Sequence, residues 1–195
     1  MVEELLDNSK FISISKPLAN QLKLLAGRLG VSVSALSTEA IEQLLRANEM
    51  NSTIKEAVDI LYMSQIHQNA GVINFQRAEV KELFKKLFAE DPENLLETWH
   101  RSGKWYAAYL SNIIKGDFFN YLQEDLRTSW NLDESHILVK DVLAIVRLTS
   151  FGMSYEFTEL LVMYTKGLFE ELGYSLSSQD ILPGLIYLEF FEKMA

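Results

Sequence analysis

The chain has 195 residues, 48% of them hydrophobic, and a formal net charge of −9 at pH 7, which allows one large folded domain or two small ones. It contains no cysteine, so disulfides, cysteine-ligated zinc, iron–sulfur clusters and thiol redox sensing are excluded. The N-terminal residues lack the layout of a signal peptide and no apolar run approaches the length of a membrane span, so we expect a cytoplasmic protein.

Acidic and aromatic residues are concentrated after residue 52. Residues 1–52 hold five lysines and arginines against six acidic residues, a net charge of −1, and the remainder of the chain carries −8. Of the 22 aromatic residues, only Phe11 precedes residue 53. This contrast predicts two regions with different tasks, although the first lacks the strongly basic surface of most DNA-binding domains.

Residues 10–48 combine a short alternating run with two amphipathic helical patterns. The alternation over residues 11–15 predicts a strand that Pro17 ends. One short strand leaves its backbone N–H and C=O groups unpaired, so we expect a second copy of the chain to supply the partner strand. Gly30 separates the two helical patterns, and Ser32 is a suitable N-cap for the second.

This pattern resembles the ribbon-helix-helix (MetJ/Arc-type) family of DNA-binding domains. The resemblance rests on the strand before Pro17, the Gly30 hinge and Ser32-Val33-Ser34 at the start of the second helix. It implies a homodimer whose ribbon enters the major groove of double-stranded DNA and whose second helix holds a phosphate at its start. The DNA-binding residues that it implies are Lys10, Phe11, Ser13, Ser15, Ser32, Val33 and Ser34.

Residues 53–72 predict a connector helix. Thr53 and Glu56 have the spacing of a capping box, and Gly71 is a plausible stop. Beyond it, helical patterns cover residues 78–88, 92–115, 118–130 and 154–172. Gly103 lies inside one of these helices and predicts close packing there.

Four short runs in the second region predict strands. Residues 136–139 and 142–148 are rich in β-branched side chains, and residues 174–178 and 185–191 flank a Pro183-Gly184 turn. The predicted fold is therefore α+β and mostly helical, with a ribbon-helix-helix module followed by a helical domain that carries a small antiparallel sheet.

The second region resembles the 4-vinyl reductase domain, a ligand-sensing fold related to subunits of the TRAPP complex. The resemblance rests on the helical run from Gly103 to Ala107, the strand into Ser150-Phe151, the helix end at residues 166–169 and the hairpin around Gly184. It implies a pocket for a hydrophobic or aromatic small molecule. The ligand-binding residues expected are Trp99, His100, Tyr106, Trp130, Phe151 and Tyr164. For any one of them, an ordinary core position is an equally good interpretation.

Signals for catalysis are weak. His67, His100 and His136 show no metal-binding spacing, and no nucleophile elbow, phosphate loop or dinucleotide fingerprint is present. We therefore expect no catalytic residues, no metal, no cofactor and no enzymatic activity.

The sequence as a whole predicts a dimeric DNA-binding transcriptional regulator. Residues 1–52 form its DNA-binding and dimerisation domain, residues 53–72 the connector helix and residues 73–195 a sensor for a hydrophobic small molecule or a partner protein. Two alternatives remain open: an antitoxin-like partner binder, and a protein-interaction adapter that uses the ribbon only for dimerisation.

Overall fold

The computed structural model describes residues 12–193, apart from the side chain of Arg77. Within that range the chain forms seven helices and four strands, and it divides into a first unit up to Ser64 and a second unit from Gln65. The helices are α1 (Lys16–Leu29), α2 (Val33–Glu49), α3 (Ile54–Ala70), α4 (Arg77–Glu90), α5 (Pro92–Ile113), α6 (Phe118–Ser129) and α7 (Tyr155–Glu171). The strands are β1 (Glu134–Lys140), β2 (Leu143–Thr149), β3 (Tyr174–Leu182) and β4 (Leu185–Glu192).

The helices of the first unit begin and end at the residues that the sequence indicates. Pro17 lies in the first turn of α1, where backbone N–H groups have no partner within the helix, so the N–H that proline lacks costs no hydrogen bond. Gly30 follows the helix in the left-handed region with φ of 70°. Ser32 caps α2, since its Oγ accepts a hydrogen bond from the N–H of Ala35 at 3.0 Å. The two predicted helices are therefore confirmed.

The predicted capping box of α3 is confirmed as well. The N–H of Glu56 donates to Thr53 Oγ1 at 3.1 Å, and the N–H of Thr53 donates to Glu56 Oε2 at 2.8 Å. The bond from the backbone of Thr53 is the main reason that the pKa of the exposed Glu56 carboxyl lies below its ordinary value. The helix ends before Gly71, whose φ is 73°.

The described part of the predicted ribbon is not a strand. Residues 12–15 form no regular secondary structure before α1, and within the described residues they pair with no strand of the sheet. Lys10 and Phe11 lie outside the described residues. The strand prediction is therefore wrong over residues 12–15.

The second unit contains the predicted antiparallel sheet, with strand order β1-β2-β4-β3. Alternate residues of β2 and β4 form its buried face, where Val146 pairs with Leu188 and Ala144 with Phe190. All four predicted strands form near their expected bounds, and the α+β, mostly helical class is confirmed.

Helix α7 is the central element of the second unit. It packs against α5 and against β3 and β4, and its buried residues, among them Thr158, Leu161, Thr165 and Phe169, lie on several sides of the helix. A helix that is buried on several sides belongs to the interior of a domain rather than to its surface. The core therefore lies between α5, α7 and the sheet.

Two glycines allow α5 and α7 to approach until their backbones touch. A Cβ added at Gly103 would overlap the carbonyl oxygen of Tyr164, and one added at Gly167 would overlap the carbonyl oxygen of His100. The close packing predicted at Gly103 is thus confirmed, and Gly167 supplies the matching half from α7.

The β3–β4 turn is tied to both neighbouring elements through Gly184. Its N–H donates to Thr158 Oγ1 of α7 at 2.9 Å, and its carbonyl accepts from the N–H of Ser150 at 2.8 Å. Gly184 has φ of 76°, and a Cβ there would overlap the carbonyl oxygen of Ser150. Glycine is therefore required at this turn for both conformation and space.

Among the described residues, none of the helices taken singly has the length and apolar character needed to cross a membrane; α1 and α2 meet that test only as a pair, and they are bent by 103°.

We predict that Gly167→Ala destabilises the chain by at least about 1–3 kcal/mol, because the added methyl group forces apart two helix backbones. Gly116→Ala is the matched control, since a Cβ at Gly116 meets nothing within 4 Å, and it should change the free energy of unfolding by less than about 0.5 kcal/mol. Urea unfolding followed by circular dichroism measures both. Equal midpoints for the two variants would contradict the account.

Candidate ligand-binding cleft

A cleft of about 270 Å³ opens in the second unit where α6 ends and α7 begins. Its walls come from the segment before α4, from α4, from the end of α6 and from the turn between β2 and α7. The lining residues are Phe75, Val80, Lys81, Ser129, Trp130, Asn131, Gly152, Met153, Ser154 and Phe157.

Two hydrogen bonds hold the turns that border the cleft, one between backbone groups and one from a backbone N–H to a carboxylate. The N–H of Phe151 donates to Asp133 Oδ2 at 2.8 Å, and the N–H of Asp133 donates to the carbonyl of Thr149 at 2.9 Å. These bonds join the segment after α6 to the segment after β2. The cleft wall is therefore built on fixed backbone rather than on free loops.

Aromatic side chains support the apolar walls. Phe157 packs edge-on against Phe84 with ring centroids 5.2 Å apart, and Phe84 packs edge-on against Trp99 at 5.0 Å. On the other wall, Trp130 contacts Tyr164 at 5.6 Å. Such contacts restrict the rings, so the lining residues Phe157 and Trp130 are held in place from behind.

A few polar groups accompany these walls. Lys81, Ser129 and Asn131 are exposed, and Ser154 is the N-cap residue of α7. Asn131 has φ of 48°, a left-handed conformation that asparagine adopts more readily than most residues. Apolar walls with a small number of polar groups are the usual composition of a small-molecule site.

A buried polar cluster lies behind the cleft. Asp125 Oδ1 accepts a hydrogen bond from the Tyr106 hydroxyl at 3.0 Å and lies 2.5 Å from His67 Nε2. Because an ionised carboxylate only accepts, this imidazole nitrogen carries a proton when Asp125 is charged. Ser129 Oγ, at the cleft, is 3.4 Å from the same nitrogen.

Burial dominates the ionisation of the tyrosines in this cluster. Burial first, and the nearby Asp125 carboxylate second, raise the pKa of the Tyr106 and Tyr164 hydroxyls well above their ordinary value. Both hydroxyls therefore stay protonated at any physiological pH, and that of Tyr106 remains a donor to Asp125.

The structure separates the six ligand-binding residues predicted from the sequence. Trp130 lines the cleft, Tyr164 packs behind it, and Trp99 supports the opposite wall through Phe84. Tyr106 is buried in the core, and Phe151 is 85% exposed beside the cleft turn. His100 lies elsewhere, in a pocket at the far end of α7.

The predicted DNA-binding residues occupy the first unit. Ser13 and Ser15 are exposed in the segment before α1, Ser32 caps α2, and Val33 and Ser34 are exposed in its first turn. Lys10 and Phe11 cannot be placed, because they lie outside the described residues.

Of the ten lining residues, the reasoning from sequence predicted only Trp130 and missed the other nine, among them Phe75, Val80, Lys81, Met153 and Phe157. They come from segments about 70 residues apart, and no local pattern connects them. The signal that the sequence did offer was the position of the helix ends. The end of α6 and the Ser154 cap of α7 mark turns, and turns between elements commonly border binding sites.

No protein-family model matches the chain, and no curated protein matches it. Three solved chains do match, and all are H-NOX proteins. One, from work on heme distortion in the H-NOX family, has 14% identity and a TM-score of 0.39, covering 72% of this chain and 92% of that chain. A mutant of T. Tengcongensis H-NOX has 12% identity and a TM-score of 0.36, covering 70% and 95%. A Cs H-NOX mutant with 4-cyano-L-phenylalanine has 13% identity and a TM-score of 0.36, covering 78% and 92%.

At these identities and TM-scores the likeness assigns neither a family nor a function to this chain. The donor set of the cleft also gives no support for heme. Its lining includes no histidine, cysteine or tyrosine, and heme iron in proteins is held by at least one of these.

The predicted identity is wrong. No ribbon-helix-helix or 4-vinyl reductase model matches the chain, the solved structures that match are H-NOX proteins, and residues 12–15 form no strand. The prediction of a DNA-binding transcriptional regulator with a 4-vinyl-reductase-like sensor is therefore withdrawn. The findings favour neither the adapter nor the antitoxin-like alternative in its place.

We predict that Tyr106→Phe lowers the free energy of unfolding by about 1–3 kcal/mol, because buried Asp125 loses a hydrogen-bond donor that water cannot replace. Tyr155→Phe serves as the control, since Tyr155 is 54% exposed, and its effect should stay within about 0.5 kcal/mol. Both are measured by urea unfolding at pH 7. An unchanged stability for Tyr106→Phe would show that the cluster does not stabilise the fold.

Proposed function

We propose that the second unit is a binding domain for a small, predominantly apolar molecule that enters the cleft beside Trp130 and Phe157. The observation that carries this proposal is the cleft itself, an opening of about 270 Å³ with aromatic walls and few polar groups. Natural ligand sites have this composition.

The volume of the cleft limits the size of the ligand. An engineered apolar cavity of about 150 Å³ accepts benzene, so a cleft of about 270 Å³ suits a molecule of one or two rings. Drug-sized ligands occupy larger sites, of roughly 300–1,000 Å³. Indole and naphthalene are therefore suitable first probes, since both are mostly apolar and of this size.

We predict that indole and naphthalene bind the full chain saturably and shift the backbone amide signals of Met153 and Phe157 in NMR spectra. Ser129→Phe should weaken both probes by at least about tenfold, because Ser129 lines the cleft and is exposed, so the added ring occupies part of the opening; a urea melt checks that the variant remains folded. Thr128→Phe is the matched control, one position earlier on α6 and outside the lining. Absence of saturable shifts, or equal loss in both variants, would refute the proposal.

For the first unit we propose a homodimer formed through helix faces. Only Ala26, Ala47 and Met63 are buried among residues 12–64. Helices of 14 and 17 residues gain most of their stability from packing an apolar face. The unit therefore lacks a core of its own.

The apolar surface that it leaves uncovered is large. Eleven large apolar side chains between residues 12 and 45 are exposed: Ile12, Ile14, Leu18, Leu24, Leu25, Leu29, Val31, Val33, Ile41, Leu44 and Leu45. The exposed parts of these side chains amount to roughly 1,000 Å² in each copy, so a dimer that covered them would bury roughly 2,000 Å² in total, which is within the range of stable interfaces. A second copy of the chain is the favoured partner, because pairing this surface with itself about a twofold axis covers the apolar side chains of both copies at once.

We predict that the chain sediments as a dimer at micromolar concentration and that Leu25→Glu weakens the dimer by at least about tenfold, because it places a charge in the apolar groove of α1. Leu138→Glu is the control, since Leu138 is a 61% exposed leucine of the second unit. Analytical ultracentrifugation compares the three proteins. If the wild type is a monomer, the dimer proposal is wrong. If that monomer also binds lipid vesicles through this face, the apolar surface is a membrane contact instead.

A further inference from the structure

A second pocket, of about 250 Å³, lies where β3 begins and β4 ends, against the C-terminal half of α7. It is lined by His100, Lys166, Glu170, Tyr174, Ser175, Leu176, Phe190 and Lys193. None of these residues takes part in the cleft beside Trp130. The pocket is therefore a separate site of the same unit.

Basic side chains surround the single carboxylate of this pocket. Lys104 Nζ lies 3.0 Å from Glu170 Oε1, and His100 Nε2 lies 2.9 Å from Glu170 Oε2. The hydrogen bond from Lys104 is the largest influence on the pKa of Glu170 and lowers it; burial, the next largest, opposes this, and the charges of Lys104, His100 and Lys193 lower the pKa further, so that the net direction is down. Both oxygens of Glu170 are thus already engaged by basic groups.

In the part of the chain that the structure describes, Lys166 lacks an acidic partner of this kind. It is half-buried, and among the described residues it forms no ion pair within 4 Å. Burial lowers the pKa of its ammonium group, and the charge of Glu159 on the same helix opposes this only in part. A desolvated cation that lines a cavity is stabilised by an anion entering that cavity.

The charged side chains that line the pocket are two lysines, Lys166 and Lys193, and one carboxylate, Glu170, although the chain as a whole carries −9. Glu170 is itself engaged by Lys104 and His100. Two further acids are near the rim: Glu159 acts on Lys166, and Glu192 acts on Tyr174. Neither makes an ion pair with these lysines within the part of the chain that the structure describes.

One wall of the pocket is apolar. Tyr174 and Phe190 are buried, and Leu176 is partly exposed beside them. These side chains offer a surface for a hydrocarbon or ring, while the lysines lie on the helix side. The arrangement suits an amphipathic anion better than a bare inorganic ion.

We propose that this pocket binds a small organic anion, with its carboxylate or phosphate oxygens toward Lys166 and Lys193 and its apolar part against Tyr174 and Leu176. The site does not depend on the ligand proposed for the cleft beside Trp130. An oxyanion supplies the acceptors that the ammonium groups lack, and each charge-assisted bond that forms is stronger than a neutral one.

Benzoate is the probe for the whole site, with benzyl alcohol as the uncharged counterpart of the same size and inorganic phosphate as the anion without an apolar part. Binding to the full chain is followed by the NMR amide signals of Ser175 and Leu176. We expect saturable binding of benzoate at millimolar concentration, at least about tenfold weaker binding of benzyl alcohol, and intermediate affinity for phosphate.

Lys166→Met and Lys193→Met should each weaken benzoate by about tenfold, whereas Lys140→Met, an exposed lysine of β1, should leave it unchanged. Lys166→Met removes a partly desolvated charge and should not lower stability, which a urea melt checks, and exposed Lys193 provides a second, independent variant. Equal binding of benzyl alcohol and benzoate, or equal loss in all three variants, would overturn the proposal. Shifts confined to Met153 and Phe157 would place benzoate in the cleft instead and would equally overturn it.

Discussion

The contact between α5 and α7 is the constraint on which the second unit depends. Gly103 and Gly167 bring the two backbones together, and neither position has room for a methyl group. A glycine inside a helix costs about 1 kcal/mol relative to alanine, and here the close approach of two long helices offsets that cost. The crossing also sets Lys104 and His100 of α5 against Glu170 of α7.

Both proposed sites follow from the position of α7. Its N-terminal end, with Ser154 and Phe157, forms one wall of the cleft, and its C-terminal half, with Lys166 and Glu170, forms one wall of the anion pocket. Seventeen residues at about 1.5 Å each make a helix of roughly 25 Å, so the two sites are well separated. Between them the helix is packed on several sides, and its polar residue Thr158 is used to hold the β3–β4 turn. Rigid packing in the middle and open space at the ends is an arrangement that preserves site geometry without weakening the core.

The sequence was informative wherever a structural feature is local. Helix caps such as Ser32 and Thr53, the Gly30 and Gly71 stops and the Pro183-Gly184 hairpin all have signatures within four residues, and each appears in the structure. Runs of β-branched residues predicted β1 and β2, and the Pro183-Gly184 turn signal predicted β3 and β4. Gly103 was predicted as a close contact because a glycine within a strong helical pattern needs a reason.

Features that depend on distant segments were not recoverable in the same way. The cleft joins Phe75 and Lys81 to Met153, and the anion pocket joins His100 to Lys193. His100 was predicted to bind a ligand, yet its partner is the carboxylate of Glu170 on another helix. The two family resemblances failed for a related reason: short runs of common residues, such as those around Ser32 and Gly103, fit many folds.

The central claim is that the second unit holds a small apolar molecule beside Trp130 and Phe157, and crystals of the full chain soaked in bromobenzene test it most directly. Bromine gives an anomalous signal that locates the ring without assumptions about its orientation. The account predicts a bromine peak within the cleft in wild-type crystals and none there in Ser129→Phe crystals. An empty wild-type cleft, with bromine only at contacts between molecules, would contradict it.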